Sequence, residues 1–223
     1  MNISIIIPVF NESNINLFLE KLFKHDMKNN EIIIVDGNDS STIKLIKNEQ
    51  VIKTNSIKGR ANQMNKGASL ASKDILLFLH ADTILPKNAF DIISTILENK
   101  NIQAGAFDLS FDSNRFILSI IAKVASWRSR ITKVPYGDQA IFIRKNIFEK
   151  IKGYENISLM EDVNLMQKLK KENLNIKISK QKVITSARKW ENKGIIYTTL
   201  RNWILISLYY CGVNPNKLTK FYT

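Results

Sequence analysis

A chain of 223 residues is long enough to bury one sizeable core, and its 44% hydrophobic and 24% charged residues are ordinary for a globular protein. A single cysteine, Cys211, excludes an internal disulfide, and no Cys/His cluster suggests zinc. The 33 Lys and Arg against 20 Asp and Glu leave a net charge of +13. That charge invites phosphate-rich ligands or anionic lipid, but the lysines form no single block with interleaved aromatics, so nucleic acid is not the expected partner.

The chain opens on an apolar run, Ile3 to Val9, read as a first strand. It lacks the basic segment, the long apolar core and the small-residue cleavage site of a secretory signal. A helix follows, with Ile15, Phe18, Leu19 and Leu22 at i, i+3, i+4 and i+7. Glu31 to Val35 predicts a second strand, Val51 to Lys53 a short third, Arg60 to Ala71 a helix, and Asp74 to Leu79 a fourth strand. Strands that are apolar nearly throughout and alternate with helices predict an α/β fold, its parallel sheet covered on both faces. Ligands of such sheets sit beyond the carboxyl ends of the strands, so Phe10-Asn11-Glu12, Asp36-Gly37 and His80-Ala81-Asp82 stand where chemistry is expected.

The second half is less regular. Gln103 to Phe111 predicts a strand, Arg115 to Trp127 an apolar helix, Gln139 to Ile143 a strand and Met160 to Glu172 an amphipathic helix. Two short strands are expected around Ile176 and Val183, then a long apolar helix, Ile195 to Cys211, ending before Gly212. No linker or repeat interrupts the chain, so one domain is expected, with a regular first half over 1–111, a less regular second half over 112–194 and a C-terminal helical extension over 195–223. No stretch reaches the roughly 18 uncharged apolar residues of a membrane span. The expected location is cytoplasmic, with peripheral attachment to the inner face of the cell membrane left open.

Three carboxylates stand out. Asp82 follows Ile75 to Leu79 and lies two residues from His80, a pairing able to hold a hard divalent ion that bridges phosphate oxygens, although Asp82-Thr83 also suits a plain turn. Asp36 closes the second strand, where an acid can bond a ribose hydroxyl or base N–H or simply form an Asp-Gly turn. Asp162 shares a helix face with Leu165, Met166 and Leu169, which turns it inward, and desolvation there suits a general base. Its neighbour Glu161 fits the third helical position of a capping box begun at Ser158. Arg60 opens a helix behind Gly59, so its guanidinium and the helix amides suit a diphosphate, while Gly67 and Ala68 allow close packing on the sheet.

The order and spacing of these pieces resemble glycosyltransferase family 2. The resemblance is carried by Ile3 to Glu12, Val35-Asp36-Gly37, Gly59-Arg60-Ala61, His80-Ala81-Asp82, Tyr136-Gly137-Asp138-Gln139, Glu161-Asp162 and Ser186 to Trp190. It is nearest to a small bacterial subgroup with a histidine in the metal motif. It implies a GT-A fold, with a Rossmann-like, mostly parallel sheet, and an inverting transfer of one sugar assisted by Mg²⁺ or Mn²⁺. By matching position Pro8, Phe10, Glu12 and Asp36 would line the nucleoside pocket, Arg60 would meet the base or diphosphate, Asp82 would bind the metal and Asp162 would be the base. Gly137-Asp138-Gln139 would lie near the sugar or acceptor, with Asp138 and Gln139 reading its hydroxyls. His80 stands where the family usually has an acid, and either ligates the metal or supports a ligand. Lys189-Trp190 replaces the Arg-Trp of processive synthases and Ser186 their Gln, so single transfer is expected rather than polymerisation.

The implied donor is a UDP- or GDP-sugar, and the acceptor is open. The apolar segment Phe116 to Ala125, followed by Arg128 and Arg130, and the C-terminal helix with Arg201, Trp203, Tyr209 and Tyr210 suit an anionic membrane surface, packing on the sheet, or a homodimer. Two rival readings stand beside the transferase. A sugar nucleotidyltransferase would show a Gly-rich basic loop after the first strand, which Phe10-Asn11-Glu12 is not. A non-catalytic membrane-surface or nucleic-acid binder would have no need of the inward Asp162 or of the strand-end acids.

Overall fold

A computed structural model describes residues 1–222; Thr223, the last residue of the expected extension 195–223, lies outside the described residues. In chain order the elements are β1 (Ile3–Val9), α1 (Ile15–Leu22), β2 (Glu31–Asp36), β3 (Val51–Asn55), α2 (Arg60–Leu70), β4 (Ile75–Phe78), β5 (Thr83–Ile84), α3 (Ala89–Glu98) and β6 (Ile102–Phe111). There follow α4 (Phe116–Thr132), β7 (Phe142–Arg144), α5 (Lys145–Lys150), α6 (Glu161–Lys171), β8 (Asn175–Thr185), α7 (Arg188–Lys193), α8 (Ile195–Tyr210) and α9 (Pro215–Leu218).

The strands form one mostly parallel eight-stranded sheet in the order β3-β2-β1-β4-β7-β6-β8-β5. β1 lies parallel to β2 and β4, and β2 parallel to β3, so four strand ends open on one edge. β7 runs antiparallel to both β4 and β6, joining this parallel half to the β6–β8 pair.

The continuous apolar strands are explained by burial on both faces. Ile3, Ile5 and Ile7 of β1 enter one core cluster, with Ile32 and Ile34 of β2 and Ile75 and Leu77 of β4. The intervening Ile6, Ile33, Val35, Leu76 and Phe78 enter the other. A two-residue side-chain period with both faces covered needs an apolar residue at every position. Helices α1, α3 and α4 cover the first face, and α2, α5 and α6 the second. Gly67 lets α2 approach the sheet: a Cβ there would overlap Ile6 and come within 3.2 Å of Val35.

Four expectations are corrected. The strand expected from Gln139 begins only at Phe142, because Gly137–Gln139 is a 3-10 turn closed by Ala140 at φ 50°. The two short strands around Ile176 and Val183 are one strand, β8, whose register against β6 shifts between Phe107 and Asp108 as Lys180 and Gln181 loop out. The capping box at Ser158 does not form: α6 starts at Glu161 behind Met160, which takes a left-handed φ of 66° and makes no side-chain cap. The helix from Arg115 runs five residues beyond Trp127, to Thr132. No helix among the described residues is long and apolar enough to cross a membrane.

Candidate active site

The parallel strand ends bring the sequence-predicted residues to one edge, but in two groups with different occupations. The first is the rim beyond β1 and β2. Asp36 is fully buried, and its carboxylate accepts backbone N–H bonds from Asn38 at 2.9 Å, Thr42 at 2.6 Å and Ile43 at 3.1 Å. All of these lie in the loop that follows β2, so in this structure Asp36 organises that loop instead of presenting its oxygens to a ligand. Glu12 is fastened to the same loop, its N–H donating to Thr42 Oγ1 at 3.0 Å. Gln63, missed in the sequence, donates from Nε2 to the carbonyls of Val9 at 2.7 Å and Val35 at 2.8 Å, tying α2 to the ends of β1 and β2. Pro8 is half-buried in register with Val35. Phe10 is 43% exposed, with the Lys58 ammonium 4.4 Å from its ring centre.

The second group lines a cavity of about 640 Å³. Arg60, His80, Asp82, Asp138 and Asp162 all reach it, together with Glu161, whereas Pro8, Phe10, Glu12 and Asp36 do not. Asp82 leaves β4 through the turn that β5 pins against the end of β8, where Thr83 Oγ1 donates to Thr185 Oγ1 at 3.1 Å. Asp162 sits in the first turn of α6, and its Oδ2 accepts the Gly137 N–H at 2.9 Å. A Cβ on Gly137 would stand 2.6 Å from that Oδ2 and 2.9 Å from His80 Nε2, so only glycine lets the base candidate and the imidazole close on the turn. The two residues that aim this floor, Ala140 and Met160, both hold a left-handed backbone, the kind of strain found at functional sites.

Gln139 holds the turn in place rather than facing hydroxyls. Its Oε1 accepts from Ser129 Oγ at 2.7 Å and from the Tyr136 N–H at 3.2 Å, while Nε2 donates to the Phe107 carbonyl at 2.8 Å. With those bonds made, Gln139 is spent, and Asp138 is left pointing into the cavity with a buried, unpartnered Oδ1. Asp162 Oδ1, Arg128 Nε and Trp190 Nε1 are also buried, unpartnered and on cavity-lining residues. Buried polar atoms normally have partners, so four residues that line one cavity and each keep an unpartnered atom form a polar floor with unused hydrogen-bonding capacity.

Burial sets the protonation of the floor. It raises the Asp162 carboxyl to about 8, an effect to which the Glu161 carboxylate adds, while Arg60 and the Gly137 N–H oppose it. Asp138 is raised to about 6 by burial, against the pull of Arg128. His80 is lowered to about 3 by burial and by the Arg60 cation, so its imidazole is neutral and free to accept a bond or ligate a cation. Arg60 stands 3.9 Å from Glu161, a buried carboxylate that the capping-box reading had given a merely structural task. Arg128 stacks on Tyr136, 3.5 Å from the ring centre.

The model of the glycosyl transferase family 2 matches residues 4–155, more than half of the chain. The chain belongs to glycosyltransferase family 2. A family 2 relative described as an uncharacterized glycosyltransferase of Haemophilus influenzae is 26% identical over 185 residues, which cover 76% of this chain and 62% of that protein. Among solved structures, S. aureus TarS 1-349 matches with a TM-score of 0.65 at 16% identity, covering 92% of this chain and 65% of that one. The same TarS segment in complex with UDP-GlcNAc matches with a TM-score of 0.64 at 18% identity, over 83% of this chain and 58% of that one. The family 2 chain described here thus spans just under two thirds of these relatives, and the fold it shares with them is the expected GT-A fold.

Proposed function

We propose that this chain is an inverting glycosyltransferase that moves one sugar from a nucleoside-diphosphate sugar to an acceptor hydroxyl. The observation that carries the proposal is the convergence of Asp162 and His80 on the Gly137 turn, next to Asp138, all of them lining one cavity at the carboxyl edge of a GT-A sheet. In this reading Asp162 takes the acceptor's hydroxyl proton, the acceptor oxygen bonds to the anomeric carbon, and the bond to the diphosphate breaks with its electrons on the departing phosphate oxygen. Attack opposite the leaving group inverts the sugar. Arg60, at the first position of α2, offsets charge on the diphosphate, and the helix N-terminus adds its amides. The rim built from Pro8, Phe10, Glu12 and the Asp36 loop would seat the nucleoside. UDP and UDP-GlcNAc bound to TarS favour a uridine donor over a guanosine one. Residues 1–223 would then act as one unit, with donor binding over 1–111, acceptor binding over 112–194 and an extension over 195–223.

The residues present suit a divalent metal held mainly by its substrate. Among the described residues no three His, Cys, Asp or Glu side chains gather as a ready-made metal cage. Mg²⁺ and Mn²⁺ bound with phosphates need only one or two protein carboxylates. Asp82, at the cavity mouth, would supply one, with the neutral His80 imidazole as a nitrogen ligand beside it. Such an ion would neutralise charge on the leaving diphosphate.

The test is release of nucleoside diphosphate from a panel of nucleotide-sugars, with and without Mn²⁺ or Mg²⁺, by the wild type, Asp82→Ala and Asp162→Asn. Metal-dependent release from one donor, abolished in Asp82→Ala, is expected. Absence of both binding and release for every donor with either metal would refute the proposal.

A further inference from the structure

The cavity that reaches Asp162 joins a polar floor to two largely apolar walls, with Thr199 and Asn202 as polar positions on one of them. Its outer walls are the facing sides of α4 and α8, lined by Ile117, Ile120 and Val124 from one helix and Ile196, Leu200 and Trp203 from the other. Each of these six is between 40% and 73% exposed, although each lies on a cavity wall rather than scattered over the surface. Isolated surface hydrophobics need no explanation, whereas a contiguous apolar patch leading into a site does. Neither helix is spared this exposure by its packing: α4 buries Leu118, Ala122 and Ser126, and α8 buries Thr198, Arg201 and Leu205, on their other sides. Each helix has therefore satisfied the core with one face and presents a second apolar face to the groove.

The four orphaned polar atoms, on Asp138, Asp162, Arg128 and Trp190, gather where this groove meets the chemistry. A ligand that fits both ends has a hydrogen-bonding head and an apolar tail. The donor meets the first requirement only, because the sugar, phosphates and nucleoside of a nucleotide-sugar are all polar. The groove from Ile117 to Arg128, at about 1.5 Å per helical residue, is roughly 16 Å long, enough for an extended chain rather than a single ring.

Taking the transferase reading as given, we infer that the acceptor is an amphiphile: a hydroxyl-headed lipid whose tail lies between α4 and α8 while its hydroxyl meets Asp162. The transfer step keeps its balance. The lipid hydroxyl loses its proton to Asp162, its oxygen bonds to the anomeric carbon, and the nucleoside diphosphate leaves with the electrons of the broken bond. Placing the tail in this groove removes its apolar surface from water and closes the cavity mouth behind the reacting hydroxyl.

The probes are glucose and its hexyl, octyl, decyl and dodecyl glucosides, each below its critical micelle concentration. Calorimetric affinity for the full chain and the rate of donor cleavage are followed in parallel. Affinity should rise about three- to fourfold for each added methylene, the factor expected for burial of a CH₂ group. Saturating dodecyl glucoside should also change nucleoside diphosphate release, upward if it accepts the sugar or downward if it excludes water. Ile120→Asp and Leu200→Asp should flatten the chain-length series, while Leu17→Asp, an exposed position on α1, should leave it intact. Equal affinity across the series, a series unaffected by both groove substitutions, or a bound tail without effect on release would each overturn the inference. So would a stable dimer in solution that buries Trp203. If no donor is cleaved at all, the transferase reading fails instead, and the chain-length series still decides whether the groove binds a tail.

Discussion

The rim beyond β1 and β2 and the cavity floor around Gly137 carry the same kinds of side chain but treat them in opposite ways. On the rim, Asp36 has three backbone N–H partners and Gln63 two carbonyls, and both are buried. On the floor, Asp138 and Asp162 each keep one buried oxygen with no partner. A carboxylate whose oxygens are taken up by backbone donors serves as framework, whereas one with an unpartnered buried oxygen stores a desolvation cost that a ligand can relieve. The contrast separates acids spent on holding the fold from acids left with an unpartnered oxygen, although both carry the same one-letter code.

Breaking the floor should have the largest effect. Asp162→Asn keeps the size of the side chain and an oxygen for the Gly137 N–H but removes the base, so acceptor-stimulated release of nucleoside diphosphate should fall about 10²–10⁴-fold. Nucleotide affinity, measured by calorimetry, should change little. Gly137→Ala places a methyl against Asp162 Oδ2 and His80 Nε2, and a displacement of that kind should cost about 10²-fold in turnover. An unchanged rate in Gly137→Ala would mean that the turn is free to move and the close packing is incidental.

The pH profile sharpens the same contrast. A base must be ionised to act, and burial raises Asp162 to about 8, so kcat/KM should climb with pH and level off only above that value. A limb centred near the ordinary carboxylate range of about 4 would show that the floor is wetter than its geometry indicates.

Breaking the rim should instead cost stability. Asp36→Ala strands three N–H groups of the loop after β2, for a loss of about 1–3 kcal/mol in denaturant unfolding. Donor affinity should weaken with it, because the loop it anchors borders the nucleoside rim. The smallest effect has the opposite sign. Asp162 binds its proton more tightly folded than unfolded, so its contribution to stability declines as pH rises from the unfolded value of about 3.9 through about 8. Asp162→Asn should therefore gain a few degrees in melting temperature at pH 8 and none at pH 4. A loss at pH 8 would place Asp162 among the framework residues.

Much of this was legible in the chain. The apolar runs of β1, β2 and β4 announce a doubly covered parallel sheet, and the residues that follow them are the ones that reach its ligand edge. Asp162 was readable because Leu165, Met166 and Leu169 define the inward face of its helix. Glu161 was misread for an equally local reason. Ser158 three residues ahead imitates a capping box, but the left-handed Met160 delays the helix by two residues and sends Glu161 into the buried wall beside Arg60. Gln63 left no signal and Gln139 suggested a reader of hydroxyls, since a buried glutamine looks like any other until the groups it bridges are known.

What the sequence by itself determined is the alternation of strands and helices, the sheet edge to which the candidate site residues are brought and the family to which the chain belongs. These rest on hydrophobic period and on local order along the chain, which adjacent residues carry. What only the tertiary structure decided is which acids are spent and which are free, and that α4 and α8, far apart in sequence, face each other across one apolar groove that ends at Asp162. Partner saturation and groove closure depend on contacts between distant segments, such as Asp162 with Gly137 and Gln139 with Phe107. No local pattern encodes those contacts; they exist only once the sheet has brought the segments together.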